Sequence, residues 1–227
     1  MTFQDDSSPT AGAVIVYFIR HGESTANLHP EIISGRDPEA LLTEKGTQQA
    51  RETGKFLRRE GIAPIHFYTS PLKRAQQTSK LITEAGACTT VPCSVDNRLA
   101  EISQGVAEQM RRSDIYTDAV RLSIAQRKKE FKFQDGESMM DGAHRIEEWV
   151  NSIKKTIPAP ENGEVTYVIA ISHAMVIRSY VSYLQDLTVQ QTYESEFYNC
   201  AITSVDITRT PTLLRFNDYA HLDTLLH

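Results

Sequence analysis

A short set of side chains able to do chemistry shares one address in this sequence, the residues just after apolar, strand-like runs. Arg20 and His21 follow residues 14–19 (V-I-V-Y-F-I), and Arg74 opens the helical stretch after residues 65–69. Glu101 follows residues 91–95, and His173 follows residues 165–171. If those strands run parallel, their carboxyl ends meet at one sheet edge, where open α/β sheets collect ligands. The set would bring together guanidiniums, imidazoles and a carboxylate, an inventory suited to phosphate monoesters. Guanidiniums grip phosphate oxygens bidentately and stabilise developing charge. An imidazole between arginines is pushed toward its neutral form, and a neutral imidazole is a competent nucleophile toward phosphorus. A carboxyl group can then protonate the leaving oxygen and later activate water. The histidines and carboxylates show neither zinc nor two-metal spacing, so no metal or cofactor is expected. Taken singly, each residue has a plainer reading as an ion pair, a loop carboxylate or a core histidine. Their joint placement favours function.

The elements that must hold these groups follow from periodicity. Residues 14–19 are β-branched or aromatic and uncharged, as in a strand buried on both faces, and Gly22 permits a sharp turn after it. Residues 28–41 mix Pro, Gly and charge and read as a loop. Thr43 can N-cap a helix to about Arg59, with Ala50, Thr53, Phe56 and Leu57 inward. Ser70-Pro71 reads as an N-cap and first helical position. It starts a helix with Leu72, Ala75, Thr78, Leu81 and Ile82 inward, closed by Gly86, and offers a positive dipole end near the site. A helix is expected over 113–131. Another is expected over 138–157, with Met139, Ala143, Ile146, Val150 and Ile153 at helical spacing and Pro158 and Pro160 behind it. Residues 165–171 form the next strand, 175–184 a helix, and 201–207 with 213–216 a closing pair of strands. Strands alternating with helices imply a mainly parallel sheet covered on both faces.

The chain has 227 residues, 40% of them hydrophobic, enough for one sizeable core. A net charge of -5 argues against nucleic-acid binding. Cys88, Cys93 and Cys200 are a sparse, odd set, expected as packing thiols in a reducing compartment. No apolar run reaches membrane-spanning length, and the polar start lacks a signal peptide's pattern. The expectation is a cytoplasmic protein with no membrane partner. It has a flexible tail at 1–12 and one domain over 13–227. Residues 104–134 form an insertion that is basic in an acidic chain, through Arg111, Arg112, Arg121, Arg127, Lys128, Lys129 and Lys132. It reads as a solvated helix face or as a cap that attracts an anionic substrate.

The motifs R-H-G-E-S-x-x-N (20–27), S-P-L-x-R-A-x-x-T (70–78), L-x-E (99–101), G-E-S (136–138) and S-H (172–173) occur in that order. With the closing N-D-x-x-H-L of Asn217, Asp218, His221 and Leu222, the set resembles branch 1 of the histidine phosphatase superfamily, over about 14–222. The resemblance implies a phosphoglycerate mutase-like, three-layer α/β/α fold with a mainly parallel central sheet. It implies His21 as the phosphorylated nucleophile and Glu101 as proton donor; apart from the resemblance, Glu108 is the next carboxylate to consider for that role. Arg20, Arg74 and His173 would form the phosphate pocket, and Asn27, Ser34 and Gly35 would help hold phosphate or substrate. Ala174 stands where the family usually has glycine, which would narrow or stiffen the pocket floor. The loop 34–42 is longer than the family's common form. The R-H-G-x-R-x-P and H-D patterns of the acid phosphatase branch are missing. Residues 101–105 (E-I-S-Q-G) resemble the phosphatases' L-x-E-x-x-x-G more than the E-R-H-Y-G-like run of the cofactor-dependent mutases. The resemblance therefore favours a metal-independent hydrolase of a small phosphomonoester, oligomeric state open. The alternatives are a mutase-type phosphotransferase, a phosphoprotein phosphatase and a non-catalytic binding protein on the same fold.

Overall fold

A computed structural model describes residues 11–87, 91–157, 160 and 163–226. Strand β1 (Val14–Arg20) leads through a loop to helix α1 (Glu44–Arg59), strand β2 (Pro64–Thr69), helix α2 (Lys73–Ile82) and the short strand β3 (Cys93–Val95). Two small helices follow, α3 (Arg112–Ile115) and α4 (Asp118–Arg127), then the long α5 (Met139–Thr156) and strand β4 (Thr166–Ser172). The chain closes with α6 (Ala174–Leu184), α7 (Val189–Thr192), β5 (Ile202–Asp206), β6 (Thr212–Asp218) and α8 (Asp223–Leu226).

The sheet order is β3-β2-β4-β1-β5-β6. β3, β2, β4 and β1 are mutually parallel, and β5 runs antiparallel to both of its neighbours. Side-chain alternation along β1 builds a core on each face. Val16 and Phe18 pack with Trp149 of α5 and Tyr180 of α6, while Ile19 packs with Leu57 of α1 and Ala75 and Ile82 of α2. The helices after the adjacent strands β1 and β4 thus lie on opposite faces. That arrangement opens a crevice between the carboxyl ends of the two strands.

Local chemistry explains most boundaries. Thr43 Oγ1 accepts the Gly46 N–H at 3.0 Å and starts α1. Ser138 and Asp141 form a reciprocal capping box at the start of α5. α2 starts later than expected, with Leu72 rather than Ser70 at its N-cap. Ser70 Oγ accepts from Leu72 N at 3.3 Å, a local turn ahead of the helix, and also lies 2.6 Å from His173 Nε2. The single helix expected over 113–131 is broken. α3 and α4 bury no residue, so no apolar stripe holds one rod together. Thr117 caps a fresh helix, and Lys128 ends it at φ 51°. Met139 is only half-buried, and Val91 lies outside β3, an exposed edge strand. The expected tail and closing Pro158 fall largely outside the described residues, but Gly12 N donates to Gly163 O at 3.1 Å and is tied down. No helix among the described residues is long and apolar enough to cross a membrane.

Candidate active site

β1 delivers the imidazole. His21 N donates to Ser172 O at 3.0 Å, which locks the end of β1 to the end of β4. Cys200 N donates to Arg20 O at 3.0 Å, and Asn199 Nδ2 to His21 O at 3.0 Å. Gly22 N donates to Thr78 Oγ1 at 3.0 Å. A Cβ on Gly22 would lie 2.5 Å from the Gly46 carbonyl oxygen, so only glycine fits where β1 meets the start of α1.

The His21 Nδ1 lies 2.7 Å from the Gly22 carbonyl oxygen. A carbonyl only accepts, so Nδ1 carries the proton and Nε2 keeps its lone pair. Arg74 Nε donates to that Nε2 at 3.2 Å. Burial first, then the guanidiniums of Arg74 and Arg20, hold the His21 pKa well below the ordinary 6.5. The ring is therefore neutral, with its nucleophilic nitrogen pointed at a cation.

Arg74, in the first turn of α2, is 3% exposed. It donates through Nη1 to Asp37 O at 2.9 Å and through Nη2 to Gly35 O at 3.0 Å. It thereby pins the 34–37 loop against the site. Arg20 donates through Nη1 to the Phe197 carbonyl, and its buried Nε has no hydrogen-bond partner among the described residues. Burial pushes the Arg20 pKa down to about 10, against the opposing pull of Glu101, so the group stays charged at neutral pH.

Glu101 sits over the amino end of α6. Its Oε1 accepts from Ile102 N (2.9 Å) and Val176 N (3.0 Å), and its Oε2 from Met175 N (3.1 Å). Glu108 is held apart, its Oε1 accepting from Gln104 N at 2.9 Å and Ser103 Oγ at 3.2 Å. A cavity of about 300 Å³ opens in front of these groups. Arg20, His21, Asn27, Ser34, Gly35, Arg74, Glu101 and Ala174 all line it. The Asn27 Oδ1 is engaged by Ser24 N at 2.9 Å and Ser24 Oγ at 3.0 Å, so the group it can offer to an anion is its NH₂.

His173 is placed differently from the rest. It is fully buried, with its ring centroid 5.0 Å from that of His21, and it is not among the residues lining the cavity. Its Nε2 lies 2.6 Å from Ser70 Oγ, while its buried Nδ1 has no partner among the described residues. Burial first, then Arg74, His21 and Arg20, keep it neutral, well below the ordinary value.

The 104–134 insertion, read from sequence as a solvated face or a cap, reaches the cavity through Gln104, Arg112 and Tyr116. Ser24, Ala26, Ile33, Met175 and Tyr193 complete the lining, and nothing in the sequence pattern separately places Ile33, Met175 or Tyr193 there. Of the basic residues in that insertion, Arg112 alone among the described residues lines the cavity. Arg111 forms a main-chain bridge with Ile32, and Lys132 pairs with Asp141 at 2.9 Å. Ser70 and Thr78 lie inside the S-P-L-x-R-A-x-x-T motif, but the pattern marks them as a cap and an inward helix position, not as partners of His173 and Gly22. Among the described residues no group of three or more His, Cys, Asp or Glu side chains is placed to hold a metal ion.

Fold and geometry define an α/β protein whose central sheet edge presents a neutral imidazole between guanidiniums. The chain belongs to the histidine phosphatase superfamily, branch 1, which it matches over residues 16–219. It is similar to the probable phosphoglycerate mutase GpmB of Erwinia tasmaniensis, 30% identical over 200 residues covering 87% of each chain. Among solved structures it is similar to YhfR of Bacillus stearothermophilus, at 25% identity and a TM-score of 0.75, covering 92% of this chain and 100% of that one. It shares the fold of a mycobacterial glucosyl-3-phosphoglycerate phosphatase at 22% identity and a TM-score of 0.76, covering 90% of this chain and 99% of the other.

Proposed function

We propose that this protein is a phosphomonoester hydrolase that works through a phosphohistidine on His21 and acts on a small phosphorylated metabolite. The observation that carries the reading is the unprotonated His21 Nε2, 3.2 Å from Arg74 Nε, at the wall of a cavity of about 300 Å³. In the first step Nε2 attacks phosphorus and the bond from phosphorus to the leaving oxygen breaks. That oxygen takes a proton from the Glu101 carboxyl group. Arg20 and Arg74 carry the charge that builds on the phosphoryl oxygens. In the second step Glu101 takes a proton from water, whose oxygen attacks phosphorus. The P–N bond breaks, and phosphate leaves with His21 restored. Guanidiniums supply the positive charge throughout, so turnover should survive a chelator.

The test is phosphate release from a panel of phosphomonoesters, including phosphoglycerates, sugar phosphates, nucleotides and phosphotyrosine. Rapid quench should trap an acid-labile, alkali-stable phosphoenzyme. No release from any member, or release abolished by chelator, overturns the reading. The relatives named as probable phosphoglycerate mutases favour a second reading, phosphoryl transfer between positions of a phosphoglycerate. Interconversion of 2- and 3-phosphoglycerate outpacing phosphate release would select it.

A further inference from the structure

We propose that Glu137, the glutamate of the G-E-S motif, is a positioning residue for Glu101. The inference rests on the acid role given to Glu101 above. After a 3-10 turn at Asn97–Leu99, the segment that carries Glu101 belongs to no strand or helix. Its main chain is held by side chains instead of a ladder. Arg36 Nε donates to the Glu101 carbonyl at 2.7 Å. Arg145 Nη1 donates to the carbonyls of Arg98 (2.6 Å) and Ala100 (2.9 Å), and Arg145 Nη2 reaches that of Glu101 at 3.4 Å.

Glu137 joins these two guanidiniums. Its Oε2 accepts from Arg36 Nη2 at 2.8 Å and from Arg145 Nη2 at 2.8 Å, and its Oε1 accepts from Arg145 Nε at 3.2 Å. The same Oε2 accepts from Ser103 N at 3.2 Å, beyond Glu101 in the chain. One carboxylate thus fixes the segment on both sides of the proposed proton donor. Arg36 also extends the link to the other half of the site. It stands between Gly35 and Asp37, whose carbonyls Arg74 holds. The grip on the phosphoryl group and the proton donor are tied through the Arg36–Glu137 pair.

A merely structural ion pair would leave a different signature from a positioning one. If Glu137 only stabilised the fold, its loss would lower the melting temperature and slow all substrates alike. If it aims Glu101, its loss should copy the loss of the acid. The experiment measures kcat/KM for an alkyl phosphate and for nitrophenyl phosphate in Glu137→Gln, Glu101→Gln and the double variant. Glu137→Gln should lose about tenfold to a hundredfold on the alkyl phosphate and much less on nitrophenyl phosphate, whose leaving group needs no proton. The alkyl loss should largely vanish when Glu101 is already Gln. Arg36→Lys keeps the charge but not the two simultaneous bonds, and should show the same pattern if Glu137→Gln fails to fold. Losses equal on both substrates, or fully additive with Glu101→Gln, overturn the positioning role alone. A flat leaving-group response in Glu101→Gln itself overturns the acid assignment and this inference with it.

Discussion

The floor of the cavity and its outer wall are built on opposite terms. On the floor, His21 is 4% exposed and Arg74 3%, with His173 fully buried behind the lining, and backbone bonds at the strand ends fix the main chain around His21. In the insertion that supplies part of the wall, α3 and α4 bury no residue, and Met110 and Leu122 stand 43% and 60% exposed. The insertion is sewn to the 29–33 loop by a few bonds, such as Gln109 N to Ile33 O at 2.7 Å and Arg112 N to Glu31 O at 2.8 Å. Segments with little buried surface open locally at low cost. If His21 is the nucleophile, the contrast sets it on the firmly bonded sheet edge, and selection between substrates would fall to the less buried insertion.

The comparison is attacked hardest at its centre. His21→Ala should cost at least about 10⁴-fold in kcat, since a nucleophile is not replaced by its neighbours. The phosphoenzyme should be absent in the same variant. Activity near wild type would mean that the floor is a binding surface and no more.

Arg74 comes next. Arg74→Gln removes a charge and the clamp on the 34–37 loop, and should cost about 10²- to 10³-fold in kcat/KM. It should also move the pH profile. If His21 acts as its neutral form, the burial and guanidiniums that hold its pKa well below 6.5 should put the acid limb of kcat/KM well below 6.5 in the wild type. Losing one cation relaxes part of that depression, and the limb moves to higher pH. Burial is the larger cause and remains, so the shift stops short of a full return. An unmoved limb would leave burial as the whole cause.

A loss confined to one class of substrate is expected at Glu101. Glu101→Gln should lose about 10²-fold on alkyl phosphates and far less on nitrophenyl phosphate. Equal losses would move the proton donor elsewhere, with Glu108 the next carboxylate to try.

How much of this the sequence carries depends on the same contrast. β1 and β4 are legible as unbroken apolar runs, and α1 and α5 by the period of a buried face. Arg20 and His21 are legible at the end of β1, and Arg74 and Glu101 because each follows a shorter strand, β2 or β3, within a recognisable motif. The break at Tyr116 and Thr117 is hidden, since a polar stretch has no period to interrupt. Tyr193 is hidden for another reason, as it reaches the wall from a loop after α7, far along the chain. Ser70 misleads because a hydroxyl before proline fits an N-cap as well as it fits a partner for His173. Glu137 is visible as part of a motif, yet its two arginines lie 101 and 8 positions away and only folding joins them.

The smallest effect is expected on the wall, at Arg112. Its Nε donates to Pro30 O at 2.7 Å, which holds the guanidinium at the cavity, while the side chain stays open to solvent. An exposed cation interacts through screened water, and a single such contact contributes about 1 kcal/mol at most. Arg112→Gln should therefore raise KM about fivefold for phosphomonoesters carrying a second anionic group, with kcat nearly unchanged. Nitrophenyl phosphate should barely respond, and the salt dependence of kcat/KM for the anionic substrates should weaken. Arg111→Gln is the internal control. Its main chain pairs with Ile32 and it is not part of the cavity wall, so it should leave both substrates alone. If Arg111 matters as much as Arg112, the wall acts through the summed field of the insertion instead of through contact. If neither matters, the insertion is a solvated surface, and selection must lie with Tyr116, Tyr193 and the shape they give the cavity.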